Sequence, residues 1–443
     1  MSPSEAVELI GSTDSLAIPL GPGVPGQFVH ALAAREAWDD LRLFGALMPD
    51  LYEVLLRPGV SMRSGFFGPA ERFMHAAGAR IEFVPADFRR FAPVLEQISA
   101  RVVATAATTP DADGWMSLSL RAGASIGELT RAAADPDRLC IVETSPHFPR
   151  TVGLPPEHRH ALHVDAVDVI VAGDAEPFIL DDKPTSSVDE AIAGFAADFV
   201  PEGATLQTGI GGIPNTIATL LAERSGGGYG IHSEMFTTGL MQLCKAGKVT
   251  NDRKGVFDGF AVTTFAAGTR ELYDWLDGNP EVRFLPVDVV NSPEVIGRNR
   301  EMITINGAMS IDLCGQVVAD TNAGDQFSGI GGHEDFISGT GLELSDRSLV
   351  CLPSTAVVDG ELVSRITAES AAGTIVTTPR HQLDVVITEY GVAEVLGLTV
   401  RERATALAAI AHPDFRDELR AAAEPSRPIT TSERSRGTRG RRR

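Results

Sequence analysis

The stretch Gly230-Ile231-His232-Ser233-Glu234-Met235-Phe236-Thr237-Thr238-Gly239 decides how this chain is read. It is a short apolar run holding one carboxylate, Glu234. A glycine-rich loop and a helical segment, Gly209 to Arg224, precede it. An apolar run after such a helix reads as a buried parallel strand. An acid at the end of that strand sits at the carboxyl edge of the sheet, where open α/β folds bind their ligands. Such a carboxylate can act as a nucleophile toward a thioester. It can also cap the next helix or bind a ribose hydroxyl.

Just upstream, Gly209-Ile210-Gly211-Gly212-Ile213-Pro214 reads as a strand-to-helix turn. Glycines let a ligand approach the backbone, and N–H groups at a helix start favour anions. Pro214 fits an early helical position, where no donor is lost. A tight turn with no ligand is the plain alternative. A nicotinamide site would want GxGxxG and an acid about 20 residues on. Glu234 lies near that spacing, but Pro214 stands where the third glycine belongs.

Further out, the chain repeats itself. Leu16-Ala17-Ile18-Pro19-Leu20-Gly21-Pro22-Gly23 reads strand then glycine turn, as does Leu206-Gln207-Thr208-Gly209-Ile210-Gly211-Gly212. Glu71-Arg72-Phe73 matches Glu271-Leu272-Tyr273, and Ile81-Glu82-Phe83 matches Val282-Arg283-Phe284. Pro85 and Pro286, Asp87 and Asp288, and Gly114 and Gly315 all stand at one offset. The expectation is two similar α/β domains, residues 1–181 and 186–423, with an active-site cleft between them. One continuous large sheet is the competing architecture. Asp181-Asp182-Lys183-Pro184-Thr185 suits a linker. Ser186-Ser187-Val188-Asp189 suits a capped helix start. The place of Glu234 falls near Ala46-Leu47 in the first half, where no acid stands.

A second loop, Phe327-Ser328-Gly329-Ile330-Gly331-Gly332-His333, has three glycines in four residues. Its N–H groups can form an anion nest and hold the oxyanion of a tetrahedral intermediate. Asn306 could orient a carboxylate or serve a turn. His333 alone reads more readily as a packing histidine than a base. No metal-ligand spacing appears, so no metal site is expected.

Composition bounds the rest. The chain has 443 residues, 43% hydrophobic and 22% charged, which is ordinary for a globular protein. Four scattered cysteines without a CxxC pair argue against zinc fingers or a disulfide framework. The net charge of −21 opposes binding to nucleic acid or an acidic membrane. No apolar run is long enough to span a bilayer, and Met1-Ser2-Pro3-Ser4-Glu5 does not read as a secretory signal. The expectation is a cytoplasmic enzyme. Residues 424–443 form a Ser, Gly and Arg-rich basic tail expected to be disordered.

Together these motifs resemble the acetyl-CoA hydrolase/transferase family, especially its 4-hydroxybutyrate CoA-transferase branch. The resemblance is carried by Gly209 to Pro214, Gly230 to Phe236, Pro286-Val287-Asp288-Val289-Val290-Asn291, Ser328 to Gly332, Thr388-Glu389-Tyr390-Gly391 and Ile410-Ala411-His412-Pro413-Asp414-Phe415-Arg416. It is close from about Val188 to Leu419 and looser before. It implies two CoA-transferase-type domains, with acyl-CoA and a small carboxylate as substrates. It implies no permanently bound cofactor, and a homodimer. It assigns Glu234 as the nucleophile of a glutamyl-CoA intermediate, with Gly331 and Gly332 at the oxyanion. It places Gly209, Ile210, Gly211, Gly212, Ile213, Pro214 and Gly329 against CoA. Arg347 falls where the family has a lysine and would grip a CoA phosphate. The nucleophile is expected to be ionised at neutral pH, so that no general base is needed. Thr238, His333 and Ser338 depart from the family's usual Asp, Gln and Arg. An acyl-CoA hydrolase using the same glutamate is the alternative within this chemistry. A nicotinamide oxidoreductase is the alternative outside it.

Overall fold

The computed structural model describes residues 1–181, 184–341 and 343–424. The middle of the expected linker and almost all of the basic tail lie outside them. The first large sheet has seven parallel strands. They are β1 (Thr13–Leu20), β2 (Asp40–Ala46), β3 (Val60–Ser64), β4 (Ile81–Phe83), β5 (Val102–Thr108), β6 (Leu139–Ser145) and β7 (Val169–Ala172). Their spatial order is β4-β3-β2-β1-β5-β6-β7. Both faces are covered, so the strands read as apolar runs rather than alternating ones; all seven residues of β5 are buried.

The second half supplies β8 (Thr205–Thr208), β9 (Gly230–Ile231), β10 (Met235–Phe236), β11 (Ala261–Thr263), β12 (Phe265–Ala266), β13 (Val282–Phe284), β14 (Met302–Gly307), β15 (Arg347–Cys351), β16 (Val385–Thr388) and β17 (Gly391–Glu394). Six of them form the sheet β9-β8-β14-β15-β16-β17, parallel except for the last pair. A parallel bridge from His232 to Val262 continues this order to β11, and β11 pairs with β13. The order β13-β11-β9-β8-β14-β15-β16 therefore matches β4-β3-β2-β1-β5-β6-β7 strand for strand. The two sheets are separate, as the repeat required.

Local chemistry sets the element ends. Ser186 caps the helix Ser187–Ala197 through a reciprocal box with Asp189. The helix Val400–Ala409 stops short of Pro413, which opens a second one, Pro413–Ala423. A proline at the first helical position loses no hydrogen bond, which is why it starts this segment.

One apolar cluster joins the halves. Phe88, Phe91, Val103, Ala107 and Leu129 of the first half pack with Phe265 and Val287 of the second. Backbone bonds cross there too. Ala266 N–H donates to Leu120 O at 2.8 Å, and Ala122 N–H to Thr264 O at 2.8 Å. No helix among the described residues is long and apolar enough to cross a membrane.

Candidate active site

Glu234 sits where the chain leaves the second sheet and turns toward the first. Its neighbours fix that bend. His232 is fully buried, and its Nε2 lies 2.7 Å from Val290 O. The Ser233 hydroxyl donates to Met235 O at 2.8 Å. The Glu234 carbonyl accepts the Thr264 N–H at 3.0 Å, the Phe265 N–H at 3.2 Å and the Thr263 hydroxyl at 2.9 Å. The chain then pairs β10 with β12, against the first half.

With the backbone pinned three times, the side chain has a fixed origin. Its Oε2 accepts Asn291 Nδ2 at 2.6 Å, and the Gly332 N–H also bonds the carboxylate. The residue keeps partial surface exposure although its carboxylate lies deep in the protein. Loss of surrounding water pushes the carboxyl up to about 8, and the nearby Asp335 charge adds to the push. The bonds from Asn291 and Gly332 pull the other way but do not win. This corrects the expectation of an acid already ionised at neutral pH. Charge in a poorly hydrated site is costly, and sequence does not display hydration.

The second glycine loop is brought to Glu234. A Cβ on Gly332 would stand 1.8 Å from Glu234 Oε2, and one on Gly331 3.7 Å from Oε1. Only glycine at 332 admits the carboxylate. Gly331 has φ +57, a left-handed conformation that glycine adopts without strain. Residues of the first half hold this loop in place. Phe88 N–H donates to Gly331 O at 2.9 Å, and Phe67 N–H to Ser328 O at 3.3 Å. Gly329 packs so closely on Gly65 and Phe66 that a Cβ would meet Phe66 Cδ2 at 2.6 Å. That contact alone accounts for a glycine at 329.

The first glycine loop follows β8 and enters the helix Gly212–Glu223 at the same sheet edge. Gly211 has φ +127, which explains its identity. The Ser233 hydroxyl approaches Thr208 O at 3.2 Å, which ties the loop's root to Glu234's neighbour. The Asp189 carboxylate also faces Gly212, where a Cβ would meet it at 2.9 Å. That acid opposes an anion at this end of the helix.

Arg347 does not join the group. It opens β15 at the amino edge of the sheet, the edge opposite Glu234. Its guanidinium is taken by Asp384 at 3.1 Å and Glu394 at 2.8 Å. The strand's direction places it there, which the run of letters around it did not reveal. Asn306 meets Gln207 at 3.4 Å rather than Glu234. His333 is largely buried, with Nε2 2.8 Å from Thr378 Oγ1, and burial pushes it down to about 4. Sequence reasoning missed Asn291, Asp335 and Arg89 as site residues. Asn291 closes the Pro286 to Asn291 motif, which was the available signal. Asp335 and Arg89 carried none.

A cavity of about 260 Å³ also opens by the first half's glycine turn, lined by Gly21, Gln27, His30, Asp50, Tyr52 and Phe148 among others. None of its walls belongs to the Glu234 group.

A glutamate held by an amide and a glycine loop, at the junction of two matching parallel sheets, defines a CoA-transferase-type enzyme. Comparisons with known proteins agree. Residues 268–423 match the model of the acetyl-CoA hydrolase/transferase C-terminal domain. The chain is 34% identical, over 95% of its own length and 94% of the relative's, to a succinyl-CoA:cyclohexane-1-carboxylate CoA transferase of Geobacter metallireducens. It is 40% identical, over 70% of its length and 69% of the relative's, to a 4-hydroxybutyrate coenzyme A transferase of Clostridium kluyveri. A crystal structure of a 4-hydroxybutyrate CoA-transferase from Porphyromonas gingivalis superposes with TM-score 0.75 at 28% identity, covering 95% of this chain and 96% of that one. The chain belongs to the acetyl-CoA hydrolase/transferase family.

Proposed function

We propose that this protein moves CoA between small carboxylic acids, of the 4-hydroxybutyrate and acetate kind, through a thioester on Glu234. The observation that carries this reading is the Glu234 carboxylate held between Asn291 and Gly332 where the two sheets meet. In the first step a Glu234 oxygen attacks the thioester carbonyl. The C–S bond breaks, CoA leaves as thiolate, and a mixed anhydride remains. The thiolate then attacks the Glu234 carbonyl carbon. The first acid departs as a carboxylate, leaving glutamyl-CoA. A second carboxylate runs the sequence backwards.

Glu234 must lose its proton before it attacks. With the carboxyl pushed up to about 8, reaching the ionised form at pH 7 costs on the order of 1 kcal/mol. The return is a poorly hydrated, more basic and therefore more nucleophilic oxygen. The Gly331 and Gly332 N–H groups and the Asn291 amide are the donors for developing negative charge, each typically about 2.7–4 kcal/mol. The Gly209 to Pro214 turn, at the same sheet edge, receives part of CoA. Gly329 supports the loop that carries Gly331. Arg347 has no part in this scheme.

The test is mass spectrometry of protein incubated with acyl-CoA, digested with and without hydroxylamine. A hydroxylamine-sensitive adduct on the Glu234 peptide is the expected result. No adduct, or NAD binding in its place, overturns the reading. A panel of carboxylates then names the acceptor. Turnover that needs only water identifies a hydrolase instead.

A further inference from the structure

A chain of polar contacts crosses from the first half to Glu234, and it starts at a residue with no assigned role. Arg89 lies in a single turn, Phe88–Arg90, on the first half. Its backbone N–H donates to Asp335 Oδ2 at 3.2 Å, and its guanidinium pairs with Asp335 and, at 3.1 Å, with Asp87. Asp335 is fully buried in the first turn of the helix His333–Gly339. Its Oδ2 accepts Asn291 Nδ2 at 2.9 Å, and the same nitrogen donates 2.6 Å to Glu234 Oε2. One NH2 group thus divides its two hydrogens between two carboxylates.

Among the described residues, these two carboxylates are the groups that aim that amide. Asn291 Oδ1 is buried with no hydrogen-bond partner. A flipped amide would set its oxygen against both acids. The orientation therefore depends on the Asp335 oxygen staying an acceptor; burial pushes that carboxyl up to about 6 while Asn291 and Arg89 pull it down, and a buried charge needs a cation. Arg89 is that cation. Arg90 is largely exposed and reaches only Asp87, at 3.4 Å. Glu334 turns to Thr378, His333 is held neutral, and so is the buried His232. The turn that carries Arg89 also anchors Gly331 through the Phe88 N–H.

Resting on the nucleophile reading above, we propose that Arg89 is a positioning residue, acting across the junction through Asp335 and Asn291 to hold Glu234 ready for attack. Docking of the first half thereby sets the geometry of the acid on the second. The two partners have opposite electrostatic effects on Glu234. Asp335 opposes its ionisation, whereas Arg89 compensates the pair.

The test measures the rate of Glu234 adduct formation against pH, at saturating acyl-CoA, in the full chain. Asp335→Asn removes the neighbouring like charge and is expected to lower the midpoint of the acidic limb by about one unit. Arg89→Gln is expected to raise it, and to lower the rate at pH 7 on the order of tenfold with less change in KM. Arg89→Lys is expected to restore most of both. Midpoints that stay at the wild-type value, or move in the same direction, overturn the proposal. If Arg89→Gln melts, Arg89→Met, which keeps the packing of the stem and removes the charge, decides in its place: a midpoint that does not rise overturns the proposal. Failure of wild type to form any adduct overturns the nucleophile itself. A normal wild-type adduct with unmoved midpoints overturns only the role of Arg89.

Discussion

Two buried glutamates stand at the same edge of the two sheets, and they differ in what surrounds them. Glu234 follows β9 and keeps an open side. In the first half β2 ends at Ala46, Leu47 turns with φ +50, and Met48 N–H donates at 2.8 Å to Glu71. Glu71 comes from the start of the helix Pro69–Ala76 and is completely enclosed. Burial pushes its carboxyl up to about 7, not far from Glu234. A raised carboxyl therefore marks poor hydration in both halves and does not by itself mark reactivity. The separating features are access and donors. Glu234 faces an amide and a glycine loop and keeps an open side, whereas Glu71 takes the Met48 N–H and the Ser64 hydroxyl inside a closed pocket. The matched position Glu271 is exposed and paired with Lys245 at 2.5 Å, so the repeat kept the letter but not its surroundings.

The most severe way to break this comparison is to remove the accessible acid. Glu234→Gln or Glu234→Ala is expected to lower CoA transfer on the order of 10⁴-fold or more while the melting profile survives. Steady-state transfer between an acyl-CoA and acetate measures it. Wild-type-like turnover in either variant would erase the distinction between the two glutamates.

A smaller effect comes from crowding the acid. In Gly332→Ala the new methyl overlaps Glu234 Oε2, so the carboxylate must swing away from Asn291. A displacement of about 1 Å in a reacting group costs on the order of 10²-fold in kcat. Full activity in this variant would show that the carboxylate works from another rotamer.

A pH series sharpens the comparison further. Under the proposed mechanism the attacking form of Glu234 is the ionised one, and burial pushes its carboxyl up to about 8. Adduct formation in single turnover should rise about tenfold per unit below pH 8 and level above it. A rate already flat at pH 6 would mean that acyl-CoA binding rehydrates or otherwise stabilises the charge.

How far the letters reached can be judged on these same residues. The strand-to-helix turns and the constant offset of Pro85/Pro286 and Asp87/Asp288 were enough for the two-sheet plan, because glycine turns and apolar runs report local geometry. Glu234 was legible because an acid inside an apolar run is costly. Arg347 was misread because its neighbours along the chain do not show which edge of the sheet it occupies. Arg89, Asp335 and Asn291 meet only through tertiary packing, from segments more than forty residues apart in every pairing. No period or spacing encodes such a meeting. The raised carboxyl of Glu234 was equally hidden, since hydration belongs to the fold.

The gentlest test concerns the enclosed acid. Burial pushes the Glu71 carboxyl up to about 7 in the folded protein, against about 4.3 in an unfolded chain. Between those values the native state holds the extra proton, so stability is fully present below about pH 4 and is lost as pH rises toward 7. Above 7 the folded chain carries a buried charge, and one oxygen, Oε2, has no hydrogen-bond partner. Glu71→Gln keeps the shape and an acceptor for the Met48 N–H, and removes the charge. It is expected to raise stability at pH 8 by on the order of 3–4 kcal/mol at most and to flatten the dependence between pH 4 and 7. Chemical denaturation at pH 5 and pH 8 measures both. Transfer activity should stay within about twofold, because a fully enclosed side chain that bonds only Met48 and Ser64 cannot reach a substrate. A Glu71→Gln variant that loses transfer without losing stability would mean that the first half's acid communicates with the cleft, and the asymmetry between the two glutamates would have to be redrawn.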